Sequence, residues 1–185
     1  MFRFLRKSSK KASPDTAVPV FILDEEMDAL PFDRITCPDL KAVAEVWLSL
    51  PRTEGEILPR WSSFSPAMVK PQLDKVCILQ VGDLENHEIE FTLYGNHPTE
   101  VLGNGKPLKL QEMRVDQSQK HLYVDIFRRT GRSIANKAPQ FARKAMSWKD
   151  LGEVEYELVM LPFETENGVT RILQPLCSTE RRLSA

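Results

Sequence analysis

The sequence predicts an α+β domain: a five-stranded antiparallel sheet with helices on one face and an amphipathic helix near the N-terminal side. Three observations carry this. Apolar residues recur at helical spacing near 38–50 and again near 117–130. Continuous apolar runs or strict alternation mark further segments as strands. The order is helix, two strands, short helices, a longer helix and three strands, with glycine and proline signals between them.

Residues 1–17 read as a basic tail, 18–37 as an arm or linker, 38–180 as the domain and 181–185 as a second tail. In the first tail Arg3, Arg6, Lys7, Lys10 and Lys11 precede any acid, and Phe2, Phe4 and Leu5 form a small apolar tip. The tail is either a solvated terminus or a weak attachment to an anionic membrane. The arm holds Val20-Phe21-Ile22-Leu23 and then the acids Asp24-Glu25-Glu26, bracketed by Pro19 and Pro31. A short strand or arm laid on the domain is expected there.

The clearest helix covers 38–50. Leu40, Val43, Ala44, Trp47 and Leu48 make its apolar stripe, Thr36 or Cys37 precedes it, Pro38 suits an early position and Pro51 stops it. The stripe either packs on its own domain or forms a dimer seam, so Leu40, Val43, Ala44 and Trp47 are the candidate interface. Ser65-Pro66 opens a short helix near 66–70, limited by Pro71. Val76 to Val81 is apolar except for one glutamine, as in a buried strand, and Gly82-Asp83 turns the chain. Ile89, Phe91 and Leu93 then alternate with Glu90, Thr92 and Tyr94, and Gly95 ends that strand.

Pro98 to Leu102 is a short helical piece closed by Gly103-Asn104-Gly105. The longer helix spans about 117–130, capped by Asp116 or Ser118. Its apolar face is Leu122, Tyr123, Ile126 and Phe127, Arg128 and Arg129 complement its dipole, and Gly131 closes it. Ser133 to Arg143 reads as a strand, and Pro139 within it argues for an edge position or a bulge. Residues 153–163 alternate Glu153, Glu155 and Glu157 against Val154, Tyr156, Leu158 and Met160. Asn167-Gly168 signals a hairpin leading into a last strand at 169–177.

Composition bounds the function. Of 185 residues, 42% are hydrophobic and 28% charged, which suits one folded domain and excludes disorder throughout. The net charge of −1 offers no basic surplus for nucleic acid. Three widely spaced cysteines, Cys37, Cys77 and Cys177, with no CxxC, argue against a disulfide framework and for a reducing, cytoplasmic setting. No run approaches the roughly 20 apolar residues of a membrane span, and no secretory signal pattern opens the chain.

Several motifs together resemble a known family. Trp47-Leu48, Leu58-Pro59-Arg60, Phe64-Ser65-Pro66, Val76-Cys77-Ile78-Leu79-Gln80-Val81, Phe91-Thr92-Leu93-Tyr94-Gly95, Leu102-Gly103 and Tyr156-Glu157-Leu158-Val159-Met160-Leu161-Pro162 look like a family of PAS-domain proteins in alphaproteobacteria. The resemblance covers about 40–177. Family members usually carry a further glycine in the loop after the short helix, and Asn104-Gly105-Lys106-Pro107 matches this only in part. The resemblance implies a PAS-like fold, a signalling role, a bacterial source and no catalytic residues.

The motifs searched for chemistry yield little. There is no G-x-S-x-G elbow, and Gly103-Asn104-Gly105-Lys106 lacks both the first glycine and the Ser or Thr of a phosphate loop. His87, His97 and His121 form no metal-binding set, and His121 is expected at the solvent side of its helix, beside Asp125. Arg128 and Arg132 have RxxxR spacing without the rest of a cyclic-dinucleotide motif and read as a helix end. Glu153, Glu155 and Glu157 read as an exposed face that discourages sheet pairing.

Phe91, Leu93, Leu122, Phe127, Tyr156 and Met160 either line a small apolar cavity or simply fill the core. No kinase, cyclase or DNA-binding segment is expected after the last strand. The expected function is therefore non-catalytic regulation through contact with a signalling protein such as a kinase or regulator, with a homodimer as a further partner and no cofactor. The alternatives are a small-ligand sensor whose cavity gates that contact and, from another class, an enzyme on a similar curved sheet.

Overall fold

The computed structural model describes residues 20–102, 109–116, 119–148, 152–165 and 170–182. The basic tail, the Gly103-Asn104-Gly105 loop, Ser118 and the Asn167-Gly168 turn lie outside the described residues. The fold is α+β. Strands β1 (Val20–Met27), β2 (Val76–Val81), β3 (Ile89–Tyr94), β4 (Gln140–Trp148), β5 (Gly152–Phe163) and β6 (Thr170–Arg182) join one sheet in the order β1-β4-β5-β6-β2-β3. Every neighbouring pair is antiparallel. The helices are α1 (Pro38–Ser49), α2 (Asn96–Leu102), α3 (Leu110–Val115) and α4 (Lys120–Asn136).

The sheet has six strands among the described residues, not the expected five. The arm supplies the sixth: β1 lies outside β4, with Asp24 opposite Lys144 and Glu26 opposite Ala142. The short strand or arm expected there forms as a strand of the sheet, and its acids are answered by cations from β4 and α4.

Two apolar clusters cover the two faces of the sheet. On one face α2, α3 and α4 close over Leu79, Val81, Tyr156, Leu158, Met160 and Ile172. On the other α1 packs over Val76, Ile78, Val159, Leu161, Phe163 and Leu173. Successive residues of β5 feed opposite clusters, as the period of two requires. Helices therefore do not sit on one face only.

The α1 stripe is absorbed by this packing. Leu40, Val43 and Ala44 are fully buried and Trp47 is 4% exposed, so the four candidate interface residues are covered by the chain's own sheet. Leu48 remains half-exposed. The Trp47 indole donates to the Pro162 carbonyl at 3.0 Å. The turn at Leu58-Pro59-Arg60 reaches the same strand end, where Glu164 N–H donates to the Pro59 carbonyl at 3.1 Å and Trp61 N–H to the Glu164 carbonyl at 2.8 Å. Gly95 also has a physical reason: a Cβ there would lie 2.3 Å from the Asp74 carbonyl oxygen.

Other boundaries move. Ser65 does cap the turn after it, accepting from Ala67 N–H, but 3-10 geometry continues past Pro71 to Lys75 with a kink at Val69. The longer helix does not stop at Gly131. It runs to Asn136 and closes on Lys137, which takes the left-handed conformation (φ 45°). Buried Thr130 and Ser133 extend its inner face one turn beyond the arginines, and the strand expected from Ser133 starts only at Gln140.

Candidate functional site

The expected cavity lining is split. Leu122, Tyr156 and Met160 are buried in the cluster beneath α4, with Phe91 and Phe127 packed at its margin. Leu93 belongs to the cluster beneath α1. The cause is a bulge: Ile78 pairs with Leu93 but Leu79 pairs with Phe91, so Thr92 is an extra residue and the alternation of β3 breaks there. Two surface hollows among the described residues lie elsewhere, one along Gln80, Glu88, Ile89 and Gln111, the other along Leu58, Ile134, Lys137 and Glu164. None of the six expected residues lines either.

The chemistry that the sequence reading missed is a charged cluster between β1, β4 and α4. Lys144 is fully buried. Its ammonium donates to Asp125 Oδ1 at 2.8 Å, to Glu26 Oε1 at 2.9 Å and to Asp24. Arg129, 2% exposed, donates to Asp125 Oδ2 at 2.6 Å. Arg128 grips Glu26 with two bonds of 2.7 Å, and Arg132 bonds Glu26 at 2.9 Å and Asp28 at 2.5 Å. The helical spacing of Asp125, Arg128, Arg129 and Arg132 puts all four on the side of α4 that meets β1. The RxxxR spacing thus clasps a strand of the same chain.

Burial alone would push Glu26 and Asp125 above the ordinary carboxylate range. The neighbouring cations outweigh it, Arg128 and Lys144 for Glu26, Arg129 and Lys144 for Asp125, and both carboxyls lie below their usual values. The hydrogen bond from Arg132 lowers Asp28 as well. Asp24, Glu26 and Asp125 bring carboxylate oxygens within 4.8 Å of one another, close enough to hold a cation. The Lys144 ammonium stands among them and supplies that charge.

A second polar centre lies on the α1 face. Glu157 is fully buried, although the alternation of β5 predicted an exposed acidic face. It accepts from Thr36 N–H at 2.9 Å, Thr36 Oγ1 at 3.0 Å, Cys37 N–H at 3.1 Å and Arg143 Nε at 3.0 Å. Its strand lies inside the sheet with both faces covered, so alternation there does not separate wet from dry. The carboxylate holds the chain just ahead of α1, where helix-type N–H groups need acceptors.

The histidines have separate surroundings. His87 Nδ1 is 2.9 Å from the Tyr123 hydroxyl, and its ring lies 4.7 Å from that of Phe127. His97 Nε2 accepts from Ser178 N–H at 3.0 Å. His121 is half-buried rather than turned to solvent; burial lowers its pKa against an opposing pull from Asp125. No helix among the described residues is long and apolar enough to cross a membrane.

Compared with known proteins, the chain matches no family model, no curated protein and no solved structure.

Proposed function

We propose that this chain is a non-catalytic regulatory module of PAS-like architecture that acts in bacterial signalling through contact with another protein. One observation carries the reading. Among the described residues, apolar side chains of α2–α4 pack against those of strands β2, β4, β5 and β6, and the buried ions Lys144, Asp125 and Arg129 bind one another. A catalytic centre would need titratable groups converging on a cleft where substrate could reach them. Here Lys144, Asp125, Arg129 and Glu26 neutralise one another between a helix and two strands.

The PAS-like reading gains support from the motifs behind the resemblance. Trp47 is bonded to Pro162, and Pro59 and Trp61 are bonded to Glu164, so the tryptophan helix, the LP-basic turn and the strand ending in leucine-proline meet at one place. Strands β2 to β6 and the helices crossing one face make the five-stranded part such a module needs, with β1 added at its edge.

Native mass spectrometry and thermal shift against a metabolite panel test this, together with cross-linking capture of the tagged chain in its own cells. Docking predicts no retained molecule, no shift and a reproducible partner. A retained metabolite that raises Tm would replace docking by ligand sensing. Turnover of any panel compound by the purified chain would sink the non-catalytic reading.

A further inference from the structure

The cysteines divide into one isolated thiol and one pair. Cys77 lies inside β2, 1% exposed, and burial pushes its thiol up to about 12. Cys37 and Cys177 belong to the same apolar cluster beneath α1 although 140 positions separate them in sequence (177 − 37). The strand register explains it. Glu157 of β5 pairs with Cys177 of β6, and the Glu157 carboxylate accepts from Cys37 N–H. Both cysteines therefore lie beside Glu157, Cys37 within the apolar cluster beneath α1 and Cys177 packed against it, with the Cys177 thiol 3.8 Å from the Ser178 carbonyl.

The surroundings suit a thiolate at Cys37. Cys37 is the N-cap of α1, followed by Pro38; its side chain makes no capping hydrogen bond, but the positive end of the helix dipole favours negative charge there. Lys75 lies within electrostatic reach of both sulfurs and is held there by its ion pair with Asp39. The negative charge of Glu157 is answered by Arg143. The nearby Cys177 is the largest influence, and together these hold the Cys37 thiol well below its ordinary value. Cys177 is raised, first by the nearby Cys37 and then by burial. It is the more exposed of the two.

We propose that Cys37 and Cys177 form a peroxide-responsive pair, with Cys37 as the attacking thiol and Cys177 as the resolving one. The Cys37 thiolate takes one oxygen from a hydroperoxide, giving a sulfenic acid and releasing water or an alcohol. The Cys177 sulfur then attacks the Cys37 sulfur. An S–S bond forms, the S–O bond breaks, and the hydroxide leaves as water with the Cys177 proton. Both thiols are oxidised and one peroxide is reduced. In a reducing cell such a bond is transient, which suits a signal better than a structural staple. It would tie the start of α1 to the sheet at β6.

The test treats the reduced, folded full-length chain with a small excess of hydrogen peroxide, blocks remaining thiols and maps peptides by mass spectrometry. The expected product is a Cys37–Cys177 cross-link lacking two hydrogens, reversed by dithiothreitol, with Cys77 still a thiol. Cys177→Ser should leave a sulfenic acid on Cys37 that dimedone traps, and Cys77→Ala should change nothing. A wild-type chain in which Cys37 and Cys177 stay reduced while Cys77 reacts would overturn the pair. So would an intermolecular disulfide as the main product. The wild-type peptide map needs no variant to fold. It is also independent of the signalling proposal, since a metabolite ligand could be found with the cross-link intact.

Discussion

At one edge of the sheet β1 presents Asp24 and Glu26 to Lys144 and three arginines, whereas at the other edge β3 buries Ile89 and sets Phe91 against Tyr94 at 4.7 Å between rings. Both strands are outermost and both use an antiparallel ladder. The difference lies in what fixes the side chains. Around β1 the described contacts are mainly ionic, with Met27 packed at the margin of an apolar cluster and Leu23 exposed. Around β3 they are mainly apolar. Ion pairs answer to pH and, where exposed, to salt, while apolar burial answers to neither directly. One edge is therefore built to respond to ionic conditions and the other is not.

The largest expected effect comes from Lys144→Ala. It leaves Asp125 and Glu26 buried without their shared ammonium, and losing one partner of a buried ion cluster costs about 3–5 kcal/mol. Urea unfolding of the variant would measure this. Ile89→Ala at the opposite edge should cost a similar ~3 kcal/mol through lost burial and a cavity, but its loss should not vary with pH. Equal pH dependence in both variants would break the comparison.

Acid should separate the edges without any substitution. Glu26, Asp28 and Asp125 have lowered values in the folded chain. Their contribution is fully present above their ordinary values of 4.5, 3.8 and 3.8, and is lost as pH falls through the lowered folded values. Hydrogen exchange, corrected for intrinsic rates, should show β1 amides opening in mild acid while β3 amides stay protected. Simultaneous opening of both strands would mean that the charged cluster does not hold β1 on its own.

The smallest effect is expected at the rim. Arg132 is partly exposed, and Arg132→Ala should cost no more than about 1 kcal/mol, since exposed ion pairs contribute little. The cost should shrink further in high salt. A large, salt-independent loss would place Arg132 among the core cations instead.

Much of the fold was legible in local pattern. The stripe of α1, the strands β2, β3 and β5 and the start of the longer helix follow from residue periodicity, and the structure holds them within a few residues. What local pattern misread was polarity. Asp24 and Glu26 looked like an acidic patch with no partner, Glu157 like an exposed face, and Lys144 drew no notice just past the strand read from Ser133 to Arg143. Each is charged, and charge in one dimension signals water. In three dimensions Lys144 meets acids 118 to 120 positions away, and Glu157 meets donors 120 to 121 positions away.

The sequence by itself determined which segments could become helix or strand and that a core would form, because those depend on spacing along one chain. The tertiary structure alone decided that β1 completes the sheet, that Leu93 changes face at a bulge, and that Cys37 and Cys177 share one apolar cluster. Those outcomes depend on which strands lie side by side. The free energy of a buried charge or a paired thiol is set by partners that chain order does not name.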